Sequence, residues 1–292
     1  MEKRTLSGVL FDLVNYVVLA GLMVLTIYPI LYVFLASVSE PSEMLSHSGL
    51  LWKPLGFTLL AYKKVFENPM ILTGYINTVT YVVIGLGINL LLTSLGAYGL
   101  SRPQIKYRKQ ITLFIIFTMF FSGGLIPFYL VVKGIGLNNT LWALVLPNAI
   151  STFNLMIMRT SFEAIPASLE ESARMDGAND LVILFRIILP LSLPVLAVMT
   201  LYYGVSHWNS WFNAMIFLKD RSQYPLQLIL REILIQNDTS AMSSGLDIGQ
   251  SSIVGETIKY ATIIVATVPI LLVYPLLQKY FAKGALVGAV KG

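Results

Sequence analysis

The chain has 292 residues, of which 56% are hydrophobic and only 12% are charged. Because a soluble domain carries roughly 25% charged residues, this composition is typical of a membrane protein. The chain contains no cysteine, which excludes disulfides, thiol catalysis and thiolate metal sites. Its net charge of +5 does not by itself indicate nucleic-acid binding, since membrane proteins collect Lys and Arg on one side of the bilayer.

Six stretches of the sequence lack Asp, Glu, Lys and Arg over a length that can cross a bilayer, for which about 20 apolar residues suffice. They are residues 13–39, 68–101, 110–132, 134–158, 187–218 and 260–278. This pattern predicts an all-α polytopic membrane protein with six transmembrane helices. The first stretch is longer than the apolar core of a signal peptide, which has about 7–15 residues, so we expect a retained helix.

The basic residues orient the predicted spans. With the N-terminus in the cytoplasm, twelve of the 20 Lys and Arg residues fall on the inner side, four of them in the tight loop 102–109. Short loops rich in Lys and Arg stay in the cytoplasm. Both termini and the charged segment 160–186 are therefore predicted to be cytoplasmic.

The predicted organisation of the chain follows from these spans. Its parts are an N-terminal helix (1–40), an outer loop (41–67), a transmembrane domain (68–283) with a cytoplasmic loop (160–186) and an outer loop (207–256), and a cytoplasmic tail (284–292). The outer loop 207–256 fits either a docking site for an external binding protein or a plain solvated loop. Its first residues include aromatic side chains that fit an interfacial belt or a sugar-stacking platform, namely Trp208, Trp211, Phe212 and Phe217, together with His207.

Among the charged segments between the predicted spans, residues 168–194 carry the clearest signals for where helices start and end. Ser168 and Glu171 are spaced as a capping box, which predicts the start of a short helix. Gly177 can adopt the left-handed conformation that ends a helix. Asp180 can cap a second helix, which runs into the membrane and meets Pro190 and Pro194.

The same segment resembles the EAA loop of ABC importer permeases. The matching residues are Glu171, Ser172, Ala173, Asp176, Gly177, Ala178, Phe185, Ile187, Leu189, Pro190 and Pro194. Ser172 stands where the family usually has Ala. In that family the loop is a coupling helix that docks in a cleft of a cytoplasmic ATPase. The resemblance therefore implies ATPase coupling by Glu170, Glu171, Ser172, Ala173, Asp176, Gly177 and Ala178.

Further motifs resemble the oligosaccharide importers of the maltose and alginate type, with the type I ABC importer permease fold. They are Phe121-Ser-Gly-Gly-Leu-Ile-Pro, His207-Trp-Asn-Ser-Trp-Phe and Tyr224-Pro-Leu-Gln-Leu. The resemblance implies a bacterial cytoplasmic membrane protein with a second permease subunit, two ATPase subunits and an external solute-binding protein as partners. It also implies that the tail residues Lys291 and Gly292 reach the ATPase, and that ATP and Mg²⁺ bind there and not to this chain.

Polar side chains within the predicted spans need partners, because hydrocarbon offers none. They fit either contacts between helices or the lining of a solute path. Candidates for the path are Asn77, Asn148, Asn154, Tyr202 and Tyr203.

Other function classes find less support in the sequence. An ion-coupled secondary transporter, the main alternative, usually carries an ionisable residue within a span, whereas the six stretches have no Asp, Glu, Lys or Arg. A membrane enzyme would show a motif such as His-Glu-x-x-His or Gly-x-Ser-x-Gly, and neither occurs. The chain also lacks the Gly-x-x-x-x-Gly-Lys-Ser/Thr phosphate loop, so an ATPase partner must supply the energy. A passive channel or scaffold would leave the short charged helix without a role.

Overall fold

The computed structural model describes residues 6–243, 255, 257–273 and 275, and these are helical or irregular with no strand among them. The first helices are α1 (Leu6–Ser37), α2 (Pro41–Ser46), α3 (Leu60–Glu67), α4 (Pro69–Ser101), α5 (Arg108–Phe120), α6 (Leu125–Gly134), α7 (Trp142–Val145) and α8 (Thr152–Glu163). They are followed by α9 (Ala167–Met175), α10 (Asp180–Ile183), a π-helical turn (Leu184–Ile188), α11 (Leu189–Leu191) and α12 (Leu193–Trp208). The last are α13 (Phe212–Phe217), a 3₁₀ turn (Arg221–Gln223), α14 (Leu226–Ser243) and α15 (Thr257–Val273). The predicted tail contacts of Lys291 and Gly292 lie outside the described residues.

The chain divides into two compact units, one of residues 1–69 and 230–267 and the other of residues 70–229 and 268–292. In the first unit, the end of α1 packs with α2 and the following loop through Leu35, Ala36, Met44 and Leu51. The main core of the second unit joins α4, α8, the segment 183–188 and α12. Its buried members are Ala97, Tyr98, Leu100, Leu155, Met158, Phe162, Ile183, Leu184, Ile188, Met199 and Tyr203.

Two of the described helices are long and apolar enough to cross a membrane, over Leu10–Ser37 and Pro69–Ser101. Two pairs of shorter helices could each form one broken span, which raises the number to four. The helix Thr257–Val273 is apolar but shorter. The described residues thus support a membrane protein, while the number of six spans and the cytoplasmic termini stay predictions.

The charge-free stretch 110–132 holds a break between α5 and α6, which meet at 115°. Gly124 has a φ of 86°, which a side chain would resist. Gly123 and Gly124 therefore lie where the chain turns from α5 into α6.

The charge-free stretch 134–158 does not form one long helix. It holds only the short helix α7 and the first half of α8, separated by residues 146–151. Pro147 within this break has no backbone N–H to continue the helix, and the Ser151 side chain accepts a bond from the Asn154 N–H and so starts α8. The sequence alone did not predict this interruption.

The segment after residue 180 is bent as well, which corrects the prediction of a single helix running into the membrane. Residues 180–191 and α12 meet at 86°, with the bend at Ser192. Pro190 and Pro194 flank this bend and lack the N–H groups of a continuous helix, and a π-helical turn precedes it.

Two predicted outer loops contain regular structure. Residues 41–67 include α2 and α3, and the segment 207–256 includes α13 and the 18-residue helix α14. The first residues of α14 are buried, among them Leu226, Leu228 and Ile229. Of the two alternatives for the segment 207–256, a plain solvated loop therefore does not fit the described residues 207–235.

Candidate functional site

The short helix α9 was expected from the sequence and is present, but it starts differently. It begins at Ala167, its preceding residue is Pro166, and no side chain caps it. The capping box of Ser168 and Glu171 is therefore absent, because Ser168 already lies in the first turn. Similarly, the cap of α10 is Asn179, whose side-chain oxygen accepts the Val182 N–H at 2.9 Å, and not Asp180.

The turn after α9 is built as the sequence predicted. Gly177 has a φ of 83°. Its N–H donates to the Arg174 carbonyl at 3.0 Å, and the Ala178 N–H donates to the Ala173 carbonyl at 2.9 Å. These two bonds form a Schellman motif, which satisfies carbonyl groups that the ending helix leaves free. Ala173 and Ala178 both pack against the main core and so anchor the turn.

Helix α9 has two distinct faces. Ser168, Glu171, Ser172 and Met175, at the spacing i, i+3, i+4 and i+7, are all exposed, and Met175 is 88% exposed. Asp176 and Gly177 in the following turn are exposed too. Residues at this spacing lie on one side of a helix, so the stripe is accessible to a partner protein. Met175 was not singled out from the sequence, although it follows Glu171 by one helical turn.

The inward face of α9 carries Glu170, which is only 6% exposed. Its carboxylate forms an ion pair with Arg102, the first residue after α4. The resemblance implies that both Glu170 and Glu171 couple to the ATPase, but the Glu170 carboxylate is already paired within the chain. Glu171 remains on the accessible face.

Arg102 holds several elements together at this point. Its guanidinium lies 4.7 Å from the centre of the Tyr98 ring and donates to the Ser101 hydroxyl at 3.0 Å and to the Phe162 carbonyl, near the end of α8, at 3.4 Å. Burial lowers the pKa of the Arg102 guanidinium, but an arginine keeps its charge in proteins. A positive charge is favourable at the carboxyl end of a helix such as α8.

A cavity of about 940 Å³ opens between α8, α12 and the segments that flank them. Its polar lining residues include Asn148, Ser151, Asn154, Tyr202, Ser206 and Asn209, and its aromatic ones include Phe153, Trp211 and Phe212. Tyr202 and Ser206 on α12 and Asn209 directly after it are exposed and follow one another at helical spacing. None of the described residues that line it is Asp, Glu, Lys or Arg. The cavity thus offers hydrogen-bonding groups and ring faces without a formal charge.

The five predicted path residues do not share one environment. Asn148 and Tyr202 are exposed in this cavity, whereas Asn154 and Tyr203 also line it but are almost completely buried. Asn77 lies elsewhere, and its amide donates to the carbonyls of Ser222 and Tyr224 at 2.7 and 3.0 Å.

A buried polar network lies beside the cavity. The Asn89 amide donates to the carbonyls of Asn148 and Ala149 at 3.0 and 2.8 Å, and its oxygen lies 2.7 Å from His207 Nε2. The Tyr203 hydroxyl lies 2.8 Å from the Thr93 hydroxyl and accepts the Ser151 N–H at 3.0 Å. These side chains satisfy the backbone groups that the break at 146–151 leaves free, as a membrane interior requires.

The aromatic residues at the end of α12 and in the segment after it decide in part between the sugar platform and the interfacial belt. His207, Trp208 and Phe217 are buried, so they form neither an exposed sugar platform nor an interfacial belt. Trp211 and Phe212 line the cavity. The sequence analysis did not identify the ion pair of Arg102 with Glu170 or the hydrogen bond between Asn89 and His207. No local sequence pattern indicates a contact between residues more than 60 positions apart.

Comparisons with known proteins agree with this structure. The polygalacturonan/rhamnogalacturonan transport system permease protein YtcP of Bacillus subtilis is 45% identical over 97% of this chain and 99% of its own length. The protein LplC of the same organism is 43% identical over 99% of this chain and 97% of its own length.

A solved structure of a bacterial ABC transporter involved in the import of the acidic polysaccharide alginate contains a similar chain. It is 35% identical, with a TM-score of 0.86, over 96% of this chain and 100% of that chain. The expected importer-permease fold is thereby confirmed. Residues 106–287 match the family described as the binding-protein-dependent transport system inner membrane component. The chain therefore belongs to this family of inner membrane permeases.

Proposed function

We propose that this chain is the permease subunit of an ATP-driven importer for oligosaccharides, in particular fragments of acidic polysaccharides. It forms half of the translocation path, with a second permease subunit opposite, six membrane spans and both termini in the cytoplasm. An external solute-binding protein delivers the solute. Two cytoplasmic ATPase subunits bind ATP and Mg²⁺ and drive the movement.

The observation that carries this proposal is the exposed face of α9. Glu171 and Ser172 lie on the accessible side of a short helix, together with the highly exposed Met175. The opposite side is fixed to the core through Ala173 and Ala178. A helix that is packed against the core on one side and exposed on the other is suited to bind a moving partner and transmit its movement to the membrane domain. This arrangement supports a coupling role for Glu171, Ser172, Asp176 and Gly177.

The cavity supports the sugar part of the proposal. Oligosaccharides present hydroxyl groups and apolar ring faces, which match the amide, hydroxyl and aromatic side chains of its lining. Tyr202 and Asn148 are the exposed candidates of the predicted set. The names of YtcP and of the solved transporter favour an acidic polysaccharide fragment as solute. Because the described lining is uncharged, this subunit would recognise rings and hydroxyls, and counter-charges for carboxylates would come from other subunits.

The coupling role is tested by charge reversal in the complete complex reconstituted in lipid vesicles. Glu171→Lys should abolish solute uptake while the two permease subunits still assemble, because the lysine would oppose a basic residue of the ATPase groove. Glu43→Lys, at another exposed carboxylate on a short helix, is the matched control and should leave uptake unchanged. Normal uptake by the Glu171→Lys complex would show that α9 does not couple through this residue.

The solute class is tested in the same complex with its binding protein. ATP hydrolysis is measured with oligogalacturonates, oligoalginates and neutral galacto-oligosaccharides. The acidic oligosaccharides should stimulate hydrolysis more strongly. Stimulation by the neutral compounds alone would contradict the proposal that the solute is acidic, while the proposal of an oligosaccharide importer would stand.

A further inference from the structure

The buried pair of Arg102 and Glu170 connects two elements that the chain itself does not join directly. Arg102 follows α4, and Glu170 lies in α9, 68 positions later. Their side chains are only 12% and 8% exposed. A pair this deeply shielded is screened little by salt and solvent, in contrast to an ion pair on the surface.

Further contacts hold Arg102, and a second ion pair lies near this link. Arg102 contacts the Tyr98 ring at 4.7 Å and the Phe162 carbonyl at 3.4 Å. The Tyr98 hydroxyl lies 3.4 Å from Asp180, which forms an ion pair with Arg174 of α9. A second, more exposed link between α4 and α9 therefore runs alongside the first. All these contacts lie on one side of α9, opposite the stripe that contains Glu171.

From this geometry we infer that Arg102 and Glu170 are positioning residues that fasten α9 to the end of α4, so that movement of α9 is transmitted to α4 directly. This inference rests on the proposed coupling role of α9. The route along the chain leads from α9 through the Gly177 turn to α10 and reaches α12 only after the 86° bend. The ion pair provides a shorter route to the 33-residue helix α4, which supplies Asn89 and Thr93 to the polar network beside the cavity.

The pair also explains why two adjacent carboxylates occur in α9. Glu171 faces outwards, and Glu170 faces the core. Burial of an unpaired carboxylate is unfavourable, so the position of Glu170 makes sense only together with Arg102. The two carboxylates then have separate tasks, docking for Glu171 and internal transmission for Glu170.

The test measures the number of solute molecules imported per ATP hydrolysed, with the oligosaccharide from the panel above that stimulates hydrolysis most. Arg102→Leu combined with Glu170→Leu removes both charges and keeps an apolar filling. The complex should assemble and hydrolyse ATP, while the number of molecules imported per ATP falls roughly tenfold. Arg159→Gln is the control, because Arg159 pairs with Glu163 within the single helix α8, and its ratio should not change.

Two further variants keep the test decisive if the double leucine complex does not assemble. Arg102→Glu with Glu170→Arg restores a pair with exchanged charges and should recover the ratio. Arg102→Cys with Glu170→Cys adds the only thiols to a chain without cysteine. This complex should import poorly until a short bifunctional thiol reagent joins the two positions.

An unchanged ratio in the double leucine complex would overturn the inference. So would a cross-linked cysteine complex that assembles and hydrolyses ATP but stays uncoupled. The Glu171→Lys experiment is independent of this one. If that complex imports normally while the double leucine complex is uncoupled, the proposed docking through Glu171 fails and the internal link stands.

Discussion

His207 Nε2 lies 2.7 Å from the side-chain oxygen of Asn89, in a contact between α12 and α4. Both residues are buried, and the Asn89 amide continues the chain of hydrogen bonds to the carbonyls of Asn148 and Ala149. One asparagine thus connects two long helices with the interrupted backbone between α7 and α8. Gly85, one helical turn before Asn89, leaves the space in which the imidazole ring lies.

We predict that Asn89→Leu destabilises the protein by about 1–2 kcal/mol, because two backbone carbonyls and the His207 ring lose their partner in an apolar environment. Thermal unfolding of the purified permease pair measures this effect. Thr80→Val is the control, since the Thr80 hydroxyl bonds to the Ile76 carbonyl within the same helix and is exposed. Equal melting temperatures for the two variants would contradict the assigned role of Asn89.

Gly85→Ala should be destabilising as well. An added Cβ would lie 2.4 Å from His207 Nε2, and the ring cannot move away without losing its bond to Asn89. We expect a cost of about 1–3 kcal/mol, typical of an overfilled core. Gly87→Ala in the same helix meets nothing within 4 Å and should not lower the melting temperature. A similar melting temperature for both alanine variants would rule out close packing at Gly85.

The hydroxyl groups of the adjacent residues Tyr202 and Tyr203 should differ in how much they contribute to the stability of the protein. Tyr203→Phe removes the partner of Thr93 and of the Ser151 N–H, so we expect a loss of stability of about 1 kcal/mol. Tyr202→Phe should leave stability unchanged, because Tyr202 is 46% exposed in the cavity. Thermal unfolding of both variants distinguishes them, and a larger effect of Tyr202→Phe would reverse the assignment.

Tyr202→Ala should instead reduce transport. Loss of an aromatic side chain that stacks on a sugar ring should weaken the contact by about 1–3 kcal/mol, the range known for nucleobases stacked on aromatic side chains. We therefore expect slower uptake at low solute concentration with normal assembly of the complex. Tyr16→Ala, the same change at an exposed tyrosine of α1 outside the cavity, serves as the control. Unchanged uptake by Tyr202→Ala would exclude this tyrosine from the solute path.

Gly177→Val should uncouple ATP hydrolysis from uptake. A β-branched residue resists the φ of 83°, so the turn after α9 would be strained or rebuilt although nothing lies within 4 Å of the new side chain. Gly134→Val is the control, because that position is equally open and does not require a positive φ. Full uptake per ATP by the Gly177→Val complex would show that this turn does not transmit motion.

The sequence by itself determined the membrane character, the short helix α9 and the turn at Gly177. These features depend on local properties, namely charge-free length, helix-forming residues and the freedom of glycine at positive φ. The resemblance in residues 171–194 also led to the correct family. Local patterns could not show that Ser168 lies within the first turn of α9 and not before it. A shift of the helix start by one residue changes the folding free energy only slightly.

The tertiary structure alone decided which carboxylate of α9 is accessible and which is buried with Arg102. It also decided that His207 bonds to Asn89, and that the stretches around residues 146–151 and 192 are broken helices. These outcomes depend on which distant groups meet, and a partner that lies 60 or more positions away leaves no periodic trace in the sequence. The physical reason is the same in each case, because a buried polar group must find its partner wherever the fold brings one within reach.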